Sequence, residues 1–230
     1  MPDIMIYNDA KLVEIFKLNN CEIELVNEFK YLGVMLDNKL NFKSHMKHVR
    51  NKISKKIGYL KRVGGRLSMW TKVMIYNTII KPHFEYCSSI MLNISREELK
   101  ALQTLQNKVM RYILQEVWYT SQLDLLNKLE WNSVKETIDI STLTFIHKIK
   151  LGSMPSYLDQ VIQQRNDGGH EYNTRNKMDI YLKQCNSNLV SNSLAYGGVV
   201  EYNKLPEELK VKKDLSKFKL CVTKIVRELR

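Results

Sequence analysis

Residues 28–49 read EFKYLGVMLDNKLNFKSHMKHV, and the stretch changes character halfway along. From Glu28 to Asp37 apolar and polar side chains alternate, the period of a strand with one covered face. From Ser44 the period lengthens to that of a helix. Met46, Val49, Ile53, Ile57 and Leu60 then fall on one stripe at about 100° per residue. Lys43, Lys47, Arg50, Lys52, Lys55, Lys56, Lys61 and Arg62 occupy the rest of the circumference, and Arg66 follows the Gly64-Gly65 pair that ends the helix. The acids stop at Asp37 and do not return until Glu85. A strand, a turn and a basic helix therefore follow one another within a short span.

That span dominates the charge of the chain. The 230 residues carry a net charge of +12, and residues 38–84 alone hold 12 basic side chains with no acid. The flanking segments nearly cancel: residues 1–37 are acidic by 4 and residues 85–160 by 1, while residues 161–230 are basic by 5. A mixed-sign run reads as a solvated face, whereas a run without acids suits a polyanion. With 44% hydrophobic residues the chain has the composition of a folded protein. It has no run of about 18 apolar residues, so no membrane span is expected, and Met1-Pro2-Asp3-Ile4 does not read as a signal peptide. Cys21, Cys87, Cys185 and Cys221 never form a Cys-x-x-Cys pair, which predicts structural thiols in an intracellular protein, nuclear or cytoplasmic.

Elsewhere the pattern is mostly helical. "LVEIFKL", Asn19-Asn20 and "CEIELV" read as two strands around a turn. Phe29, Tyr31, Val34 and Leu36 suggest a third strand, with Gly33 marking a bulge or a close backbone approach. A second helix should follow Ser68 until Pro82 breaks or bends it. Ser95-Arg96-Glu97-Glu98 and Ser133-Val134-Lys135-Glu136 read as capping boxes, and Ser121 as the cap of a short helix. "RNDGGHEYNTRNK" is a loop, "MDIYLKQC" and "LAYGGVVEYN" read as short strands, "LPEELK" as a helical turn, and residues 215–229 as an amphipathic basic helix.

These blocks, in this order, resemble the region beyond the polymerase palm in LINE-type (non-LTR), jockey-like retrotransposon reverse transcriptases. The likeness rests on Phe29-Lys30-Tyr31-Leu32-Gly33, on Leu40-x-Phe42-x-x-His45 with the basic helix after it, on "YNTIIKPHFEYCSSIM", on "LKALQTLQNKVMRYIL", and on "YNTRN" and "YNKLPEELKV". Tyr202 stands where that family usually has Trp. The resemblance implies a mainly α fold: a helical, thumb-like bundle with a small antiparallel β-element at the N-terminus and short strands near the C-terminus. It divides the chain into a palm-edge, primer-grip remnant (1–37), a thumb-like basic helical region (38–118), a helical connector (119–163) and a C-terminal connector (164–230). It also implies that Tyr31, Leu32 and Gly33 lie along a primer backbone, where a glycine lets a phosphate approach. Plain strand packing is the other role open to Tyr31 and Leu32. The cations of the basic helix and Arg66 would hold RNA or an RNA–DNA hybrid by its backbone, without reading sequence.

The sequence departs from that family in one decisive respect. Reverse transcriptases use paired carboxylates to hold Mg²⁺ ions, and the Tyr-x-Asp-Asp turn that supplies two of them has no counterpart here, since no Asp-Asp occurs. The expectation is a fragment that is not an enzyme on its own, has no catalytic residues, metal site or cofactor, and lacks fingers and palm. Two other readings stand beside it: a captured thumb that acts as a protein-interaction module, and an inert relic. His45-x-x-His48 and the His83/Cys87 pair lack the further ligands a metal needs. Trp70, Trp118 and Trp131 read as core or helix-junction aromatics, and Gln103, Gln106 and Arg111 as a solvated helix face.

Overall fold

The computed structural model describes residues 4–6, 17–18, 21–22, 24–159, 162, 179–182, 185 and 188–228. The N-terminal part is β. β1 (Ile4–Ile6) lies parallel to β4 (Glu24–Val26), and β2 (Lys17–Leu18) pairs antiparallel with β3 (Cys21–Glu22). Of the expected hairpin about Asn19-Asn20, Lys17–Leu18 pair with Cys21–Glu22, residues 12–16 and the turn lie outside the described residues, and "CEIELV" divides between two partners. The parallel pairing with β1 has no signal in a local pattern, because it joins segments distant in sequence.

The expected third strand is two strands. β5 (Glu28–Tyr31) and β6 (Val34–Asp37) form an antiparallel hairpin in which Tyr31 faces Val34 and Glu28 faces Asp37. Leu32 and Gly33 make the turn, with φ of 46° and 87°. Two consecutive positive φ values match the twist of the flanking strands. Gly33 is therefore a turn residue rather than a bulge.

Helices make up the rest. α1 (Lys43–Val63) buries Met46, Val49, Ile53, Ile57 and Leu60, the stripe expected from the sequence. It ends where the Tyr112 ring crosses Gly64: a Cβ there would lie 2.6 Å from the tyrosine hydroxyl. α2 (Met69–Ile75) starts at Ser68, whose hydroxyl accepts from the amide of Thr71. The chain then widens into a π-helical turn over Tyr76–Ile80, and Lys81 N–H donates to the carbonyl of Tyr76. Pro82 opens α3 (Pro82–Glu85). A proline lacks the N–H that would continue α2 and its ring crowds the preceding turn, so the break falls there.

α4 (Arg96–Leu114), α5 (Gln122–Leu129) and α6 (Val134–Lys150) begin at Ser95, Ser121 and Ser133, each accepting from the amide three residues on. Only Ser133 completes a capping box, with Glu136 returning to its backbone N–H. At Ser95 the box is half made, because Glu98 turns away to pair with Arg50 at 3.0 Å. α7 (Asn188–Ser191), α8 (Val199–Asn203), α9 (Glu207–Lys210) and α10 (Leu215–Glu228) complete the chain. A π-helical turn over Leu194–Gly198 leads into α8, so "LAYGGVVEYN" is helical and not a strand. Of "MDIYLKQC", Ile180 alone makes a strand-like bridge among the described residues. "RNDGGHEYNTRNK" lies outside the described residues. The fold is mainly α with a small β-element, and the correction falls on the C-terminal strands.

α6 is buried on nearly every side, as a helix that serves two cores must be. Its first turns, through Val134 and Ile138, close a core built by α1, α2, α3 and α4. Its later turns, through Ile140, Leu143, Ile146 and Ile149, close a second core with Val199, Tyr202, Leu205, Leu209, Phe218 and Val222. The "YNKLPEELKV" block is architecture in this second core. The Asn203 side chain bonds both backbone groups of Ile180, at 3.0 and 2.9 Å, and the buried Lys210 meets Asp179 at 2.7 Å. Tyr202 is fully buried, and its hydroxyl meets His147 Nδ1 at 2.8 Å. The other nitrogen of His147 meets the carbonyl of Lys212 at 2.7 Å, and its ring stacks on Phe218 at 3.8 Å.

This pairing fixes the tautomer: Nε2 donates to the carbonyl and Nδ1 accepts from the tyrosine, so the imidazole is neutral. Burial holds its pKa below the ordinary 6.5, outweighing the pull of the Lys212 carbonyl. The unfolded chain binds that proton more readily. This contribution to stability is therefore complete above about pH 7 and declines as the pH falls through 6.5 towards the lower folded value. His147→Gln should cost about 1–3 kcal/mol at pH 7.5 by disturbing the buried pairs. It should also lose less stability than the parent between pH 7.5 and 5.5 in urea unfolding. Equal losses in the two proteins would contradict a buried neutral His147.

Candidate nucleic-acid interface

The geometry of the basic helix is set at its N-terminus. Asp37, the last residue of β6, is buried, and its carboxylate collects three backbone amides. Oδ1 accepts from Lys39 at 3.0 Å and from Asn41 at 3.1 Å, and Oδ2 accepts from Phe42 at 2.8 Å. Phe42 is the residue that caps α1, and it has no side-chain cap of its own. Leu40 and Phe42 both take positive φ, 49° and 56°, which bulky residues avoid. The Asp37 bonds offset that strain and place a negative charge at the positive end of the helix dipole. Ser44 on α1 donates to the carboxylate of Glu28 on β5. His45 is buried, and its Nδ1 accepts from the amide of Met35 at a long 3.4 Å. Burial, with His48 and Lys52 nearby, holds the His45 pKa below its usual value, so its ring stays neutral.

The Leu40-x-Phe42-x-x-His45 block is therefore a joint that locks the hairpin to the helix. The hairpin tip projects from it. Leu32 is 74% exposed and Tyr31, although paired in β5, is 54% exposed, so both side chains are open to solvent at the tip. Gly33 sits 3.7 Å from the Tyr86 ring, measured from the position a Cβ would take, and the Tyr86 hydroxyl donates to the carbonyl of Leu32. The tip is held in place by "YNTIIKPHFEYC", a partnership the local sequence does not announce.

Along α1, Lys43, Lys47, Lys52, Lys55, Lys61 and Arg62 are exposed, as is Arg66 beyond it. Lys56 is half-buried at the flank. At about 100° per residue, Lys55 and Arg62 lie opposite the buried stripe, with Lys43, Lys47 and Lys61 to one side and Lys52 to the other. Among the described residues, no carboxylate is ion-paired with any of these side chains. Arg50 differs, being engaged by Glu98 across to α4. From Lys43 to Arg62 the face is about 29 Å long. The C-terminal core packs on α6 and leaves this face open.

The structure decides among the readings of several core, helix-junction and solvated-face residues. Trp131 does stack on Tyr76, at 3.8 Å between rings, but Trp70 and Trp118 are 72% and 83% exposed. Gln106 is buried rather than solvated: it donates to Tyr76 and to the carbonyl of Asn132, while Gln103 accepts from the amide of Val134. Arg111 donates to the carbonyl of Thr120 at 2.9 Å. His45 and His48 are not joined by further ligands; among the described residues no group of three His, Cys, Asp or Glu is assembled. No helix among them is long and apolar enough to cross a membrane.

Over about half its length the chain is related to the RNA-directed DNA polymerases of jockey-like mobile elements. It is 31% identical over 116 residues, or 49% of the chain, to "Probable RNA-directed DNA polymerase from transposon X-element" of Drosophila melanogaster. It is 30% identical over 111 residues, or 47% of the chain, to "RNA-directed DNA polymerase from mobile element jockey" of Drosophila funebris. Over 137 residues, 58% of the chain, it is 25% identical to "Probable RNA-directed DNA polymerase from transposon BS" of Drosophila melanogaster. These matches span 13%, 12% and 15% of the relatives' own lengths. No protein-family model matches the chain, and no solved structure does.

The Asp37 joint can be broken singly. Asp37→Ala leaves three amides without their acceptor and should cost about 1–3 kcal/mol, a fall in the urea midpoint at constant m-value. Asp37→Asn, which keeps one acceptor oxygen, should recover part of that loss. An unchanged midpoint for Asp37→Ala would show that water satisfies these amides and that the joint is dispensable.

Proposed function

We propose that this chain grips the sugar–phosphate backbone of an RNA or RNA–DNA duplex through the outward face of α1, as a thumb-like part of the polymerase lineage it resembles. The observation that carries this reading is the long row of exposed cations on one rigid helix, with no described carboxylate paired to it. Such a row neutralises phosphates and releases counterions, a sequence-independent source of affinity. Lys and Arg on it position a duplex and read no bases. The hairpin that carries Tyr31-Leu32-Gly33 is joined at its base to the N-terminal end of the same helix, through Asp37 and the Ser44–Glu28 bond, and its tip is held by Tyr86, so tip and helix keep a fixed relation. This arrangement supports a primer-grip-like role for those residues. The proposal assigns no polymerisation step to these 230 residues, whose sequence has no Asp-Asp doublet.

Affinity for a hybrid should fall steeply with salt, by roughly 0.7–0.9 in log K per decade for each phosphate neutralised. Reversing Lys43, Lys47, Lys52 and Lys55 to Glu should weaken binding to hybrids of every sequence alike and flatten the slope by about 3 or more. The helix should still form, because Met46, Val49, Ile53 and Ile57 are untouched. Reversing Lys217, Lys219 and Lys224 on α10 should matter less. Anisotropy titrations at several salt concentrations measure both quantities. A four-site variant with the parent's affinity and slope would show α1 to be a solvated face only.

A further inference from the structure

An open cleft of about 630 Å³ lies at the C-terminal end of α1, between α2, α4 and the loop that follows α4. Lys61, Lys72, Lys108 and Arg111 line it, with Tyr112 at its wall and Trp118 at its rim. Its one lining carboxylate, Glu116, is already committed: Lys128 pairs with it and Thr120 donates to it at 3.2 Å. The cleft is therefore cationic with its acid neutralised from outside.

Two of its cations are under-partnered. Lys72 is only 4% exposed, yet among the described residues no carboxylate is paired with it, and its ammonium lies 5.1 Å from the centre of the Tyr112 ring. A cation taken out of water normally has a counter-charge. Arg111 uses Nη2 on Thr120, while its Nε is buried without a hydrogen-bond partner. An orphaned buried guanidinium N–H is a donor awaiting an acceptor. An anion in the cleft would give Lys72 a counter-charge, and the guanidinium of Arg111, which lines the same cleft, suits a phosphate especially well.

The rim adds a second chemistry. Trp118 is 83% exposed and Tyr119 71%, with the two rings edge to face at 5.7 Å and 87°. The edge-to-face contact with Tyr119 orients the indole, and its exposure leaves it open to a flat partner. Cations that track a backbone, combined with an exposed aromatic face, are the combination that binds single strands. An unpaired base offers the indole a free face, whereas base pairs inside a duplex are already stacked on both sides.

We infer that this cleft holds an unpaired nucleotide of a single-stranded nucleic acid, its phosphate taken by Arg111 and Lys72 and its base stacked on Trp118. Lys61 belongs both to the cleft and to the outward face of α1, so the strand entering here continues from the duplex track. The inference rests on the α1 reading for its choice of nucleic acid as partner.

The test uses the full chain and two probes: a single-stranded oligo(U) of about twelve nucleotides and a blunt RNA–DNA hybrid of the same length. Trp118→Ala should weaken oligo(U) binding by about tenfold while leaving hybrid affinity within about twofold. Lys108→Glu, a second exposed substitution in the cleft, should show the same selectivity. Unlabelled oligo(U) should quench tryptophan fluorescence in the parent, and the quench should vanish in Trp118→Phe, which keeps a stacking ring but removes the indole. Circular dichroism of each variant should match the parent, since these side chains lie outside the cores. Undiminished oligo(U) binding by Trp118→Ala, equal weakening for both probes, or a quench that survives Trp118→Phe would each overturn the inference. An absence of quenching by any oligonucleotide, the outcome expected of a protein-binding cleft, would do so too. If the four-site α1 variant binds hybrid normally while Trp118→Ala keeps its selective defect, the α1 reading fails and the cleft stands. The reverse pattern removes the cleft and leaves α1.

Discussion

One buried carboxylate fixes the relation between the β5–β6 hairpin and the basic helix. Asp37 ends a strand, gathers the amides of Lys39, Asn41 and Phe42, and thereby starts α1 in a fixed direction. Without it, two bulky residues would hold left-handed conformations with nothing to offset the strain. The bond from Ser44 to Glu28 and the bond from Met35 to His45 add stitches across the same joint. The hairpin tip and the basic face are consequently parts of one rigid element. A surface that grips a rod-like polyanion gains from such rigidity, because little ordering cost remains to be met on binding.

The second constraint is α6. It closes the core beneath α1 and also the core that holds α8, α9 and α10. Its central burial lets the outer helices present polar faces on both sides. The His147–Tyr202 pair lies in the second core and explains why a tyrosine is accommodated at position 202: its hydroxyl has a dedicated acceptor, and a neutral imidazole stacked on Phe218 supplies it.

Helix starts and the α1 core stripe were readable from sequence, because both are local. A serine accepts from the amide three residues on, and Met46, Val49, Ile53, Ile57 and Leu60 recur at helical spacing. What local pattern did not carry was choice of partner. Glu98 looked like half of a capping box and instead joins Arg50 on α1. Gly33 looked like a bulge because the two strands it joins are short and both alternate. Residues 194–203 looked like a strand because Tyr and Val favour strands, while Gly197-Gly198 hid the helical period; packing overrode propensity where Gly198 lies so close to α6 that a Cβ there would come within 2.9 Å of Ile146. Trp70 and Trp118 read as core or helix-junction aromatics, and their exposure excludes the core while their places at the start of α2 and between α4 and α5 fit the junction. The candidate interface was legible where charge alone defines it. The cleft was not, since Lys72, Arg111 and Trp118 meet only through the packing of α1, α2 and α4.

Lysine-reactivity footprinting of the full chain, free and bound to an RNA–DNA hybrid, bears most directly on the claim that α1 is the gripping surface. Acylation read by mass spectrometry resolves each lysine without altering any residue beforehand. The account predicts strong protection at Lys43, Lys47, Lys52 and Lys55, with Lys217, Lys219 and Lys224 labelled equally in both states. Unchanged labelling along α1, or protection centred on α10, would contradict it.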